Sequence, residues 1–432
     1  MADIFAESFT EEPLWWNMAK PEPTTPDALP DRCDVLVVGA GYAGLGAALT
    51  LAEAGTSVAV VDAEMPGYGG STRNGGHLTG AWSMIDPSAK DQGALRARVA
   101  TSMDAFNHTR DLIARLGMKG VYEPVGKFLA AFAPSHYETL ARKAEWAVRE
   151  GFLDAEAVPR ERQEEEVGTK FYHGGVRFEP GGLVQPARYH AGVLAAALAA
   201  GAKVASPVRV TAITPTASGY EVTTSAGKVE CAEVVITTNG YTGAATPDLQ
   251  RRVVPVASYI IATEVLPEDV AAALIPKRRA VSDSAKVLSY YRLSPNRRRM
   301  VYGGRASFRF TTPREAAVGL HAMMSRRFPQ LADVKVTHAW TGNVAFARDW
   351  LPHMGSKDGI HYALCCNGGG VAMMSYLGHL VAKKILERPS APLGAFDGTV
   401  FPTIPFYNGN PWFVPLVGET YRLRDRIARG SD

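Results

Sequence analysis

The stretch CDVLVVGAGYAGLGAALTLAEAGTSVAVVD, Cys33 to Asp62, decides the fold of this chain. Val35 to Val38 form a short apolar run bounded by polar residues, the pattern of a buried parallel strand. Gly39, Gly41 and Gly44 follow as G-x-G-x-x-G, then a helical stretch from about Ala43 to Glu53 that stops at Gly55. A second strand, Val58 to Val61, ends on the acidic Asp62. Gly39 allows the tight turn out of the strand, Gly41 lets backbone amides approach a pyrophosphate, and Gly44 lets the helix pack close to the sheet. The free amides and dipole at the helix start favour phosphate charge. Asp62 is placed to accept hydrogen bonds from ribose hydroxyls. Ala40, between the first two glycines, and Ala63, after the acid, belong to the same wall. A bare G-x-G-x-x-G is weak among 42 glycines, but strand, helix, second strand and acid all stand at the expected spacing. The stretch is therefore read as a dinucleotide-binding unit, with NAD and FAD both open.

Outward from that unit, 432 residues with 46% apolar content can bury a large core in two or three lobes. A net charge of +3 is too small for a nucleic-acid surface, and Arg297-Arg298-Arg299 reads as a solvated hairpin turn. Cys33, Cys231, Cys365 and Cys366 form no CxxC, so a reducing cytoplasm is the simplest home and no metal site is expected. The acidic start (Asp3, Glu7, Glu11, Glu12) does not resemble a signal peptide, and no apolar run is long enough for a membrane span.

Residues 1–30 carry Trp15-Trp16 and five prolines (13, 21, 23, 26, 30), an arm that packs its aromatics on the body. The loop from Gly67 to Gly76 is too rich in glycine for helix or strand and implies backbone held close to something. Helices are expected at 87–116, 135–150, 187–200 (with Pro186 at its first position), 313–328 and about 370–386. Charged residues 156–166 should be solvated. Short strands are expected at 208–213, 219–224, 228–230 and 234–238, a mostly β region at 253–345, and a buried strand at 360–365. The dinucleotide fold is thus discontinuous, with a second lobe inserted.

Several segments together resemble a known family. The opening motif, GGSTRNGG (69–76), GGLVQPARYHAGVLAAAL (181–198), VVITTNGYTG (234–243) and NGGGVAMMSYLGHLVAKKI (367–385) are similar, in this order, to FAD-dependent oxidoreductases of the D-amino-acid oxidase/glycine oxidase superfamily. The nearest likeness is to the γ-glutamylputrescine oxidase-like branch, which carries S-x-RNGG after the second strand. The resemblance spans about residues 10–425. It implies FAD, an α/β fold with a discontinuous Rossmann-like FAD-binding domain and an inserted antiparallel-sheet substrate domain, and oxidation of a C–N bond. The expected layout is an arm at 1–30, FAD-binding segments at 31–85, 170–252 and 346–400, a mostly helical part of the substrate lobe at 86–169, its sheet at 253–345, and a tail at 401–432.

The resemblance also implies site residues. Gly70, Ser71, Thr72, Arg73, Asn74, Gly75 and Gly76 would lie beside the flavin, Val210 at the adenine, and Asn239 and Gly240 in a turn that closes on the cofactor. Asn367, Gly368, Gly369, Gly370 and Val371 would open a helix whose positive end faces the flavin edge that gains charge on reduction. Gly369 stands where relatives often have His. No cysteine lies in Trp340 to Pro352, and Asn74 replaces the His used elsewhere for attachment, so FAD is expected to be non-covalent. The strand Met300 to Arg305 lacks the lysine that sarcosine oxidases use toward oxygen, leaving O2 or another acceptor open.

For the substrate, Tyr259, Tyr290 and Trp340 on strands and Trp82 near the entrance are aromatic candidates, since ring faces tolerate an amine cation. Arg305 could hold a carboxylate in a bidentate way. Arg305, Tyr291 and His77 are the catalytic candidates. The expected partners are a small-molecule amine and an electron acceptor, with no nucleic acid. Two rivals stand beside this reading. An NAD-dependent dehydrogenase explains the first motif but not the later glycine-rich ones. A flavin-holding subunit of a multi-subunit dehydrogenase would bind the cofactor without turnover of its own.

Overall fold

Two sheets organise the chain in this computed structural model, which describes residues 4–305, 308 and 310–430; Asp3 lies outside them. The first sheet is built on Arg32–Val38, whose alternate neighbours are the parallel strands Val58–Val61 and Gly227–Ile236. Lys203–Ala205 extends it beyond Val58–Val61. Burial on both faces explains the unbroken apolar runs. The stretches expected as two strands at 228–230 and 234–238 form a single strand, because it changes partners along its length. Its first half pairs antiparallel with Gly219–Thr224, and its second half lies parallel to Ile360–Leu364. The helices Tyr42–Glu53, Gln92–Arg115, Pro186–Ala199 and Gly370–Glu387 cover one face in a common apolar core. Gly44 lets the first of these helices sit against the turn: a Cβ there would collide with the Gly39 carbonyl.

The second sheet runs Phe5–Thr10, Val336–Phe346, Val254–Thr263, Met300–Gly304, Ser289–Leu293, Ala280–Asp283, Lys127–Ala130, Gly175–Glu179, Asp154–Val158. It is not wholly antiparallel. Phe5–Thr10 joins Val336–Phe346 parallel, and Lys127–Ala130 joins Ala280–Asp283 parallel. The expected boundaries therefore shift: the arm and segments 86–169 and 170–252 each lend strands to this sheet, while Gln92–Arg115 packs with the first sheet's helices. One face of the second sheet is covered by Pro313–Arg327 and Glu268–Leu274.

Three local expectations also change. Gly70–Arg73 makes one turn of α-helix, closed when the Asn74 amide donates to the Gly70 carbonyl. Arg297–Arg299 does form the hairpin turn, but Arg298 and Arg299 donate to the Leu266 and Thr263 carbonyls at 2.8 and 2.6 Å. Within 156–166, Gln163 and Glu166 are buried, and Glu166 accepts from Arg279 at 2.6 Å. The tail carries a helix, Val414–Arg429, pinned when Asp425 accepts from the amides of Lys286 and Val287 at 2.7 Å each. All four cysteines are free thiols. No helix among the described residues is long and apolar enough to cross a membrane.

Candidate active site

A cavity of about 900 Å³ runs between the two sheets. Its first end is walled by backbone. Gly39 leaves the first strand at φ +106°, a conformation that L side chains rarely adopt. A Cβ on Gly41 would meet only the Ser71 hydroxyl and otherwise point into open cavity. Asp62 accepts from the amides of Ala40 (2.7 Å) and Glu64 (3.0 Å), and burial still pushes its carboxyl above the usual range. Ala63, Val210 and their neighbours continue this wall. A narrow glycine cradle opening toward a buried carboxylate fits a dinucleotide.

The middle is made by the 67–76 loop, which three indoles hold from beneath. Trp15 donates to the Asn74 carbonyl (2.8 Å), Trp16 to the Thr72 hydroxyl (2.9 Å) and Trp340 to the Arg73 carbonyl (2.8 Å). Asn74 fixes the turn internally, donating to Gly70 and Ser71 carbonyls and accepting from the Gly76 amide. Arg73 donates to the Tyr68 and Thr341 carbonyls and lies over the Trp16 and Tyr68 rings. Opposite the loop, Cys365, Asn367 and Gly368 adopt positive φ and deliver the chain to the helix Gly370–Glu387, whose N-cap Gly369 offers no side-chain cap. The uncapped amides leave the helix's positive end toward the cavity, where Gly370 and Val371 form part of the wall.

The far end is lined by side chains of the second sheet and adjoining segments: Ser258, Tyr290, Ser282, Lys127, His77 and Arg305. Tyr290 shares a hydrogen bond with Ser258 at 3.0 Å, and burial pushes its hydroxyl up to about 12. The His77 ring meets Tyr290 edge-on at 5.9 Å. Its Nε2 is buried without a hydrogen-bond partner among the described residues. Burial, then the nearby cations Lys127 and Arg292, push its pKa well below the ordinary imidazole range. Arg305 lies 5.0 Å over the Phe346 ring. Burial lowers its pKa too.

Of the residues singled out in the sequence, Gly39, Gly41, Asp62, Ala63, Gly70, Ser71, Arg73, Asn74, Gly75, Val210, Asn239, Gly368, Gly370, Val371, His77, Tyr290 and Arg305 line this cavity. Ala40, Gly44, Thr72, Gly76, Gly240, Asn367 and Gly369 stand one layer behind it. There Thr72 donates to the Gly67 carbonyl, Gly240 packs on Asn343, and Asn367 accepts from the Ala347 amide. Four candidates are elsewhere. Tyr259 and Tyr291 alternate to the helix-covered face of the sheet, in the core. Trp340 is a clamp under the loop, and Trp82 stacks on Phe178 at 4.7 Å in a separate apolar cluster. Lys127 was missed, because KFLA is a four-residue strand whose partners lie far away in the sequence.

Comparison with known proteins agrees with this architecture. In solved structures, glycine oxidase from Geobacillus kaustophilus superposes with a TM-score of 0.69 at 19% identity, covering 88% of this chain and 99% of that one. L-amino acid deaminase from Proteus vulgaris gives 0.69 at 16%, covering 87% and 98%. In sequence, the chain is 34% identical to gamma-glutamylputrescine oxidoreductase of Escherichia coli over 91% of this chain and 93% of that protein. It is 29% identical to the probable oxidoreductase OrdL of Rhizobium meliloti over 96% and 97%. The profile of the FAD dependent oxidoreductases matches residues 34–384. The match decides FAD over NAD, and the chain belongs to the FAD-dependent oxidoreductase family.

Proposed function

We propose that the chain oxidises the C–N bond of a small amine or amino acid that carries an anionic or amide tail, giving an imine that hydrolyses. The observation that carries this reading is the charge at the far end of the cavity. Arg305 lines it, whereas the carboxylates in the cavity wall, Asp62 and Glu64, stand at the dinucleotide end. A cationic pocket selects a substrate with an anion to spend on it, and Arg305 offers a planar fork suited to a carboxylate. The E. coli relative, by its name, acts on a γ-glutamylated diamine, which fits such a pocket.

When bound, FAD supplies the two-electron acceptor. Gly39, Gly41 and Ser71 would hold its diphosphate, Asp62 its ribose, and Asn74, Gly75 and the amides at Gly370 and Val371 its ring. The Tyr290 and Phe346 rings flank the substrate end and exclude water from the reacting carbon. Electrons then pass to O2 or another acceptor.

The test is anaerobic mixing of purified protein with glycine, sarcosine, proline, putrescine and γ-glutamylputrescine. Bleaching of the visible flavin band is expected with at least one amine. Bleaching only by alcohols or hydroxy acids overturns the reading. Acid precipitation should leave the yellow colour in the supernatant, as non-covalent FAD requires; colour in the pellet shows a covalent bond. Gly41→Val, which fills the cradle, should give folded but colourless protein.

A further inference from the structure

We propose that Lys127 is the proton acceptor of this site: its Nζ takes the proton from the substrate's ammonium group before the C–H bond breaks. The inference rests on the amine reading above. Its ground is the register of the second sheet. Ile260 pairs with Gly303, Gly303 with Tyr290, Tyr290 with Ser282, and Ser282 with Leu129. These residues form one row across the sheet. Lys127 lies two residues before Leu129, so its side chain is on the same face, which is the cavity face.

Cations taken out of water are mostly paired or hydrogen-bonded. The half-buried Lys127 side chain, on the cavity wall, has no hydrogen bond or ion pair among the described residues. The charged groups around it are otherwise engaged or of the same sign. On the strands flanking its own, Glu179 reaches Arg279 at 3.5 Å, and Arg279 is held by Glu166 at 2.6 Å. Across the cavity stand His77, Tyr290 and Arg305, with no carboxylate among them. Burial alone lowers the Lys127 pKa, to about 8.

That places its proton affinity where a base is useful. Arg305 holds its proton too tightly to accept another, and His77 is too weakly basic to keep one. The balance is simple. The substrate ammonium gives a proton to the neutral Lys127 amine, leaving a neutral substrate amine and a Lys127 ammonium. The nitrogen lone pair then forms the C=N bond as the adjacent hydrogen leaves with its electron pair to oxidised FAD. Lys127 returns its proton to solvent once the imine has gone.

The experiment is anaerobic flavin reduction from about pH 6 to 10 in wild type, Lys127→Met and Lys127→Arg, using the amine from the panel that bleaches the wild type. Wild type should show a rise with pH and a midpoint near 8. Lys127→Met should reduce about 10²-fold or more slowly at neutral pH, the usual contribution of general base catalysis. It should recover only as the pH approaches the substrate amine's own pKa. Lys127→Arg should behave like Lys127→Met, because a guanidinium accepts no proton. A wild-type rate in Lys127→Arg would instead make position 127 a cationic anchor and overturn the proposal. So would an unchanged rate and midpoint in Lys127→Met. No bleaching of wild type by any amine removes the amine reading and this role together, whereas normal amine bleaching with an unchanged Lys127→Met profile removes this role alone. If neither variant retains FAD, the pH dependence of Lys127 acetylation in the wild-type holoenzyme, read by mass spectrometry, decides. A midpoint near 8 supports the role, and one above about 10, the ordinary lysine range, overturns it.

Discussion

The two faces of the second sheet carry the same kinds of side chain in opposite condition. On the helix-covered face the polar groups are closed on one another. Arg327 meets Asp283 at 2.7 Å and the Tyr172 hydroxyl at 3.0 Å, Tyr291 donates to Tyr172 at 3.3 Å, and Tyr302 donates to Ser289 at 2.8 Å. On the cavity face, Lys127 and, just past the end of Met300–Gly304, Arg305 have no ion-pair partner, and across the cavity from them the His77 Nε2 has no hydrogen bond among the described residues. Adjacent residues, Tyr290 and Tyr291 or Ser282 and Asp283, fall on opposite sides of this divide. The cavity face thus holds cations that no carboxylate of the protein neutralises, the condition expected of side chains that meet a ligand.

The largest test of that contrast is Arg327→Met. It leaves Asp283, a fully buried carboxylate, without its cation, and breaking such a pair costs about 3–5 kcal/mol. Denaturant unfolding should register the loss while the bound flavin spectrum stays as in wild type. Unchanged stability would mean that the closed face is not what holds the lobe together.

Arg305→Met should do the reverse. With no ion pair to abandon and only the contact over the Phe346 ring to lose, the folded protein should move by no more than about 0.5 kcal/mol. Binding of carboxylated amines should weaken by about 2–5 kcal/mol, toward the lower end because Arg305 is half-exposed, with little effect on matched amines that lack the carboxylate. Anaerobic titration of both substrates reads this directly. Equal losses for both would move Arg305 to the structural side of the comparison.

This divide also sets what could be read from the sequence. The dinucleotide end was legible because its parts are local: strand, three glycines, helix and acid fall within thirty residues of chain, and each glycine answers a backbone requirement at its own position. The loop at 67–76 was legible as a close-approach segment, but not its single helical turn, which depends on the Asn74 side chain and on indoles from residues 15, 16 and 340. From the sequence, Trp15 and Trp16 pack on the body and Trp340 goes to the substrate, without the loop as their partner, because nothing local shows what an indole N–H will meet. At the far end the sequence gives Tyr290-Tyr291 as a pair, and only the strand pairing says which ring faces the cavity. Lys127 is the extreme case. It follows Gly126 in a stretch without a motif, and its place beside Ala280 comes from a parallel pairing over about 150 residues.

The smallest expected effect carries a sign that separates the two faces cleanly. Burial lowers the Lys127 pKa to about 8 in the folded chain, from the ordinary lysine value of 10.5 that applies when the chain is unfolded. Between these values the unfolded chain binds more protons, so this residue's contribution to stability rises with pH. Below pH 8 the full penalty of burying the ammonium is present. Lys127→Met should therefore stabilise the FAD-saturated protein at pH 7 by about 0.5–2 kcal/mol, the usual gain from replacing a functional compromise. The gain should shrink as pH rises through 8 and fade toward 10.5. Thermal unfolding of wild type and variant at matched FAD concentration across that range measures it. A gain that ignores pH would come from repacking the side chain's stem and not from its charge. A loss at pH 7 would show that Lys127 has a structural partner after all, and the cavity face would then be as closed as the other.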